Sequence, residues 1–199
     1  MKLTKSQLKQ IIKEELESVL NEGTDLLQSK NGNVVIFADW AKGHIEKGHK
    51  EPGLGSIFAE FDLSQIGKAL SQIDVGDQGG VYTLKAPNVG YDLVLPMSEA
   101  VKLPGAKKVT VQKEQRGQPV EVIGIQTSAP LNSFKTDQIS VVVRPTTDLQ
   151  YVPEDVKQQV AGSVEAGKAY SLLSAWPGRG DVPPASQWGE KWAVIIPQG

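Results

Sequence analysis

The run of residues 139–144, ISVVVR, constrains the fold of this chain more than any other segment. Three consecutive valines, Val141 to Val143, favour an extended backbone, because β-branched side chains pack well on a pleated surface. Consecutive apolar residues in a strand point to both faces of a sheet, so both faces of this strand are expected to be buried. Pro145 ends the run. The sequence therefore predicts a strand at the centre of a sheet.

Strand-like segments are frequent on both sides of this run. Two pairs of them flank turns and are predicted to form hairpins, and two single strands lie nearer the C-terminus. The hairpin strands are residues 81–85 with 91–95 and residues 107–113 with 119–126, and the single strands are residues 169–176 and 191–197. Helical spacing occurs at residues 63–73 and 153–165. From residue 81 onward the sequence predicts mainly strands.

The first 22 residues predict an amphipathic helix. Its apolar stripe consists of Leu8, Ile11, Ile12, Leu16, Val19 and Leu20. Lysines occupy its first half and glutamates its second half, the reverse of what the helix dipole favours, so the stripe is expected to need a partner surface. That surface belongs either to the chain's own domain or to another protein. Residues 23–33 are polar and predict a linker, and residues 34–199 are expected to form one domain.

The composition excludes several classes of protein. The formal net charge of −2 argues against the binding of long nucleic acid by charge alone. The absence of cysteine excludes disulfide bonds and thiol catalysis. No apolar segment reaches the length of a membrane span, so we expect a soluble protein without membrane contact. The sequence lacks a glycine-rich phosphate loop, and two histidines without an acidic cluster make a poor metal site, so neither a cofactor nor a metal is expected.

The segment from Phe37 to Phe58 contains both histidines of the chain, His44 and His49. A short helix is predicted to begin near Asp39 and to end at Gly48. A glycine at that position can reverse the chain and bring the second imidazole back toward the first. The alternative interpretation is one solvated histidine and one histidine at the edge of the core.

Lysines lie among these histidines. Lys42, Lys47 and Lys50 are interleaved with His44 and His49. Metal-free cleavage of RNA requires such a set. One imidazole takes the proton of a 2'-hydroxyl, a second acid protonates the leaving oxygen, and a cation stabilises the phosphate charge. The alternative is that these lysines are ordinary surface side chains.

Two further groups of side chains are candidate binding residues. Arg144 and Thr146 lie at the end of the central strand run, where a guanidinium and a hydroxyl can reach a bound anion. Ordinary strand-end packing is the alternative for this pair. Three tryptophans, Trp176, Trp188 and Trp192, occur near the C-terminus. They either cap the core or, with the loop between them, border a pocket.

The segment HIEKGH, the turn rich in proline and glycine that follows it, and the late strand YSLLSAWPG together resemble a superfamily of small metal-independent ribonucleases. This superfamily includes barnase, EndoU, colicin-type and RelE-like enzymes, and the resemblance is to the versions carried by phages and polymorphic toxins. It covers residues 34–197. It implies an α+β fold in which N-terminal helices lead into a curved antiparallel β-sheet, with an RNA site on one sheet face. The leader MKLTKSQLKQIIKEEL is similar to short N-terminal helices of proteins from large marine bacteriophages, which implies a tag for packaging or assembly.

The resemblance also implies roles for individual residues. His44 would be the general base, and His49 or Lys47 would be the partner acid or phosphate clamp. Ser174 would contact the substrate phosphate through its hydroxyl. The further residues implied to bind the substrate are Arg144, Thr146, Arg179 and Lys42.

The sequence thus predicts an endoribonuclease of toxin or effector type that leaves a 2',3'-cyclic phosphate and uses no cofactor. Its expected partners are an RNA substrate and an immunity protein or inhibitor, in a host cytoplasm or in a virion. The main alternative is a non-catalytic, phage-associated structural or binding protein tethered by its N-terminal helix, and a nucleotide transferase is a third. Geometry separates them, because catalysis requires His44, His49, Arg144 and Ser174 to share one concave face.

Overall fold

The structure is a computed structural model that describes residues 23–48, 55–59, 63–115, 118–147, 149 and 152–198. The predicted leader helix, residues 1–22, and the predicted site residue His49 lie outside the described residues. The strands are β1 Asp25–Gln28, β2 Val34–Phe37, β3 Ile57–Phe58, β4 Gly80–Tyr91, β5 Val94–Pro96, β6 Lys107–Gln115, β7 Gln118–Thr127, β8 Lys135–Pro145, β9 Ala169–Pro177 and β10 Trp192–Pro197. The α-helices are α1 Asp39–Gly48, α2 Leu63–Leu70, α3 Met97–Ala100 and α4 Glu154–Glu165, with short 3-10 helices at Leu131–Phe134 and Ala185–Gln187.

The first sheet has the strand order β1-β2-β9-β8-β4-β3. The valine run lies in β8, between β9 and β4, so the predicted central position of residues 139–144 is confirmed. Val141 and Val143 are fully buried on one face of the sheet. Val142 and Arg144 point to the other face, because side chains alternate along a strand. Val142 is half-buried and Arg144 is exposed, so the predicted burial of both faces holds for one face only. β2 and β9 pair in parallel, and the other neighbours pair antiparallel.

The second sheet has the strand order β5-β10-β7-β6. β6 and β7 form the predicted hairpin, with a continuous register over the whole of β6. The last strand, β10, pairs in parallel with β7 and antiparallel with β5. Leu93, Ile125 and Ile195 are fully buried in the core of this sheet. The C-terminal part of the chain therefore closes a sheet that begins with β5.

Helices cover both faces of the first sheet. α1 and α2 pack on the face that carries Val141, where Ile45 and Ile66 join its core. α4 packs on the opposite face, where Val160 clusters with Ile36 of β2. α1 has the predicted bounds, and α4 ends at the predicted residue.

The predicted fold class, an α+β fold in which N-terminal helices lead into a curved antiparallel β-sheet, is wrong. The described chain is mainly strand, and both sheets are mixed. It begins with β1, inside the segment predicted to be a linker, and no helix precedes this strand among the described residues. The parallel pairs β2–β9 and β7–β10 join segments far apart in the sequence. Hydrophobic periodicity identifies a strand but does not identify such a distant partner.

The predicted hairpin of residues 81–85 and 91–95 also differs from the structure. The two segments and the turn residues between them form mostly one long strand, β4, whose pairing with β8 is irregular between Lys85 and Gly90. Asn88 lies in this irregular part and has a φ of 55°. Asparagine tolerates that conformation better than most residues. The turn residues therefore distort a continuous strand and do not reverse the chain.

Candidate functional site

His44 lies on the solvent side of α1. The buried side of this helix carries Ala41 and Ile45, which pack on the first sheet, whereas His44 is exposed. Lys47 belongs to the same helix, and His49 lies outside the described residues. The described residues therefore show one imidazole at the surface, on the α1 side of the sheet.

Lys42 is a buried cation that joins two elements. Its side chain is 9% exposed, and its Nζ lies 3.1 Å from Oδ2 of Asp25 and 3.5 Å from Oδ1 of Asp39. Nζ also donates a hydrogen bond to the carbonyl oxygen of Gly23 and stands 5.8 Å from the centre of the Phe37 ring. These contacts hold the start of β1 against the start of α1. Two carboxylates already balance the charge of Lys42, so it is poorly placed to bind a phosphate.

The predicted binding residues Arg144 and Ser174 lie on the other face of the first sheet. Ser174 is the cross-strand partner of Val142, and Arg144 is the partner of Ser171. Thr146 is buried, and its Oγ1 lies 2.8 Å from Oγ of Ser171. Layers packed on a sheet are about 10 Å apart, so the thickness of the sheet separates these residues from α1. The structure thus gathers part of the predicted substrate-binding set and does not bring it to the histidine of α1.

Arg179 holds the turn that follows β9. Its Nε lies 3.3 Å from Oδ2 of Asp92, and its Nη2 lies 3.5 Å from Oε2 of Glu99. Burial alone would lower the pKa of Arg179, but the two carboxylates outweigh it and raise the pKa above its usual value. Gly178 has a φ of 100° and comes so close to Asp92 that a methyl group on its Cα would overlap the carboxyl group. The charge of Arg179 is therefore already balanced within the fold.

A cleft of about 630 Å³ lies between the two sheets, on the face of the first sheet that carries Arg144. Its floor consists of Val81 from β4, Val142 from β8 and Leu173 from β9. The register of β8 and β9 shifts after Val142, so Leu173 has no cross-strand partner. An extra residue of this kind redirects side chains at the edge of a site. The volume is within the range of about 300–1,000 Å³ that is typical of small-molecule sites.

Tryptophan rings border this cleft. The indole Nε1 of Trp176 donates to the carbonyl of Arg179 at 2.9 Å, and that of Trp188 donates to the carbonyl of Pro183 at 2.7 Å. Both polar ends are therefore satisfied, and the apolar parts of the rings remain to face the cleft. Residues 182–185, which lead from the first sheet to Trp188, form the rim. The hydrogen bonds of Trp176 and Trp188 therefore fix the two rings at the border of the cleft.

Two cations also line the cleft. Lys113 of β6 has its Nζ 5.1 Å from the centre of the Trp188 ring, a cation–π arrangement. Burial lowers the pKa of Lys113. Arg144 is exposed at the cleft and makes no ion pair or hydrogen bond through its side chain in the part of the chain that the structure describes. The described lining residues include no aspartate, glutamate or histidine.

The sequence contains a signal for some of these lining residues. Lys113 follows Val109 and Val111 at the strand period of two, so it falls on the apolar side of β6. A charged residue in that position is a sign of a site. The tryptophan loop borders a pocket, as one of its two interpretations predicted, and Trp188 also packs in a core cluster of the second sheet. Leu173 had no signal, because the register shift of β9 arises from pairing with β8.

A second depression, of about 540 Å³, surrounds Arg179 and the carboxylates that balance it. Among the described residues, no three histidine, aspartate or glutamate side chains are grouped so that they could hold a metal ion. None of the helices within the described ranges combines the length and the apolar character that a bilayer span requires. Comparison of the chain with models of protein families, with curated proteins and with solved structures finds no match in any of the three.

Proposed function

We propose that the chain is a non-catalytic binding module that holds an apolar ligand in the cleft between its two sheets. The main support is the lining of the cleft. Two tryptophan rings with satisfied N–H groups border a cavity of small-molecule size that has an aliphatic floor. Ligand sites are typically concave, mostly apolar and largely preformed, because a preformed site avoids the entropy cost of ordering side chains on binding.

The lining of the cleft does not favour catalysis. General acid–base chemistry needs a titrating group within hydrogen-bond reach of the substrate. The polar side chains among the described lining residues are those of Ser56, Lys113 and Arg144. Oγ of Ser56 lies 3.2 Å from Oδ1 of Asp92, and no described imidazole lines the cleft to activate the serine as a nucleophile. Binding therefore accounts for the site better than chemistry does.

The ribonuclease remains a prediction from the sequence, as do its RNA substrate, an inhibitor protein and a partner for the leader helix. The described geometry favours it less, because the first sheet lies between His44 and Arg144. Purified protein incubated with total RNA in the presence of EDTA tests it. We expect no cleavage. Cleavage that His44→Ala abolishes would replace binding as the function of this chain.

A neutral fluorescent probe tests the binding proposal. We expect N-phenyl-1-naphthylamine to bind the full chain saturably at one site. Val81→Glu should weaken this binding about tenfold or more, because it places a carboxylate in the apolar floor of the cleft. Val101→Glu is the matched control. Val81 and Val101 are 47% and 54% exposed, and Val101 lies beyond α3, outside the cleft.

The two variants are compared by titration of the probe, after circular dichroism has shown that both retain the fold. The control should bind the probe like the wild type. Equal affinities of the two variants, or binding that does not saturate in the wild type, would show that the cleft is not the site.

A further inference from the structure

We infer that the ligand of this cleft is a small apolar carboxylic acid, bound with its carboxylate on Arg144 and its apolar body along the floor toward Trp176. This inference rests on the proposed function, to which it adds the chemical class of the ligand and its orientation.

Arg144 is a cation whose guanidinium has no carboxylate partner among the residues that the structure describes. Arg179 provides the contrast, because two carboxylates lie 3.3 and 3.5 Å from its guanidinium. The guanidinium of an arginine is a cation that offers five N–H donors in a planar fork. A carboxylate that reaches it gains a charge-assisted, potentially bidentate pair and displaces no described protein group.

The described lining contains no group of opposite charge to Arg144. Lys113, the second basic side chain, lines the same cavity with its Nζ over the ring of Trp188. No aspartate or glutamate is among the described lining residues. Charge on one side chain is felt strongly across a cavity with apolar walls, because the effective dielectric constant there is lower than in water. The cleft therefore favours a ligand with a negative group.

Strand register orients the ligand. Trp176 pairs with Ser140, which lies four residues before Arg144 on β8. At about 3.3 Å per residue, the backbone positions of Arg144 and of the pair formed by Ser140 and Trp176 are about 13 Å apart along β8. Val142 and Leu173 lie between these two positions and are apolar. A ligand with an acid at one end and an apolar body behind it matches this order.

A nucleotide fits the lining less well. Recognition of a base uses several hydrogen-bonding groups, whereas Ser56 is the one uncharged polar side chain among the described lining residues. Its hydroxyl already contacts Asp92. The formal net charge of the chain, −2, also opposes a long polyanion. A guanidinium at one end of extended apolar walls suits a single acidic group on an apolar body.

Competition with the neutral probe on the full chain tests this inference. Decanoic acid with 1-decanol is an aliphatic pair, and 2-naphthoic acid with 2-naphthalenemethanol is an aromatic pair. Within each pair, the acid alone is charged at neutral pH. We expect at least one acid to displace the probe about tenfold or more tightly than its alcohol, because a carboxylate adds charge-assisted hydrogen bonds to the guanidinium. The pair with the tighter acid identifies the ligand as aliphatic or aromatic.

Variants assign the preference to one residue. Arg144→Gln should remove the preference for acid over alcohol and leave the affinity for the alcohol within about twofold of the wild type, because the apolar contacts remain. Lys102→Gln is the control, since it removes the same charge from an exposed position outside the cleft and should keep the preference. Arg144→Lys should keep part of the preference for acid over alcohol, because lysine supplies the positive charge but not the bidentate hydrogen bonds.

The outcomes separate the two proposals. Loss of the preference in Arg144→Gln, with retention in the control, supports the inference. Equal binding of acids and alcohols, or an unchanged preference in Arg144→Gln, overturns the carboxylic acid while the cleft still binds the neutral probe. Failure of the probe itself to bind overturns the proposed function and this inference with it.

Discussion

Lys42 and Arg144 carry the same charge in different surroundings. Lys42 is buried between two carboxylates and a backbone carbonyl, so its charge is used within the fold. Arg179 is held in the same way by Asp92 and Glu99. Arg144 has no such partners in the described part of the chain and stands at an apolar cleft. Of these three cations, it is the one available to a ligand.

Replacement of Lys42 should weaken the fold. Lys42→Met leaves Asp25 and Asp39 without their cation and the carbonyl of Gly23 without its donor, so we expect a loss of about 1–3 kcal/mol in the free energy of unfolding. Lys30→Met is the control, because Lys30 pairs with Asp74 at 3.8 Å with both side chains more than half exposed. Such a pair contributes about 0–1 kcal/mol. Urea unfolding measures both, and equal effects would contradict the structural role of Lys42.

The family resemblance implies a substrate-binding role for each of Arg144, Lys42 and Arg179. What distinguishes them is the position of carboxylates that come from other elements. Asp25 reaches Lys42 from β1, and Asp92 reaches Arg179 from the segment between β4 and β5. Residue type identified the side chains that can bind an anion. Tertiary packing determined which of them has no carboxylate partner among the described residues.

Elements were predictable where their signals are local. α1 begins at Asp39 and ends at Gly48, which are the residue types typical of helix ends. α4 begins directly after Pro153, the residue at which its start was predicted. The hairpin of β6 and β7 followed from alternation on both sides of a turn. β1 has four residues, two of them leucines between polar neighbours, and it pairs with β2, so its local sequence is too short to predict a strand. Edge strands and parallel partners are properties of the assembled sheet, which is why the predicted fold class failed.

The turn after β9 is an element whose sequence is constrained by packing. Gly178→Ala should lower the free energy of unfolding by about 2–4 kcal/mol, because it adds a left-handed backbone cost to an overlap with Asp92. Gly162→Ala is the matched control. Gly162 lies in α4 with nothing within 4 Å of an added methyl group, so this change should stabilise the protein by about 0.5–1 kcal/mol. Urea unfolding gives both values. An unchanged free energy of unfolding in Gly178→Ala would mean that Asp92 can move aside at little cost.

At the scale of the whole molecule, Asp92 connects the two sheets. Its Oδ1 lies 3.2 Å from Oγ of Ser56, next to β3 in the first sheet, and 3.4 Å from the backbone nitrogen of Val94, in β5 of the second. Its Oδ2 accepts a hydrogen bond of 3.3 Å from Nε of Arg179, which lies in the turn after β9. The segment that follows Arg179 forms the rim of the cleft. The shape of the cleft is therefore linked to one carboxylate that does not line it.

Asp92→Asn tests this link, because it keeps the shape of the side chain and removes its charge. Arg179 would keep Glu99 and lose its nearer partner, so we expect a loss of about 1–3 kcal/mol in the free energy of unfolding. Because the rim is held by this turn, the affinity for the neutral probe should also fall severalfold. Asp74→Asn, which alters an exposed pair away from the cleft, should change neither quantity appreciably. A loss of stability without a loss of probe affinity would show that the rim keeps its position without Asp92. The hydrogen bond from Trp188 to the carbonyl of Pro183 would then be the contact that holds the rim.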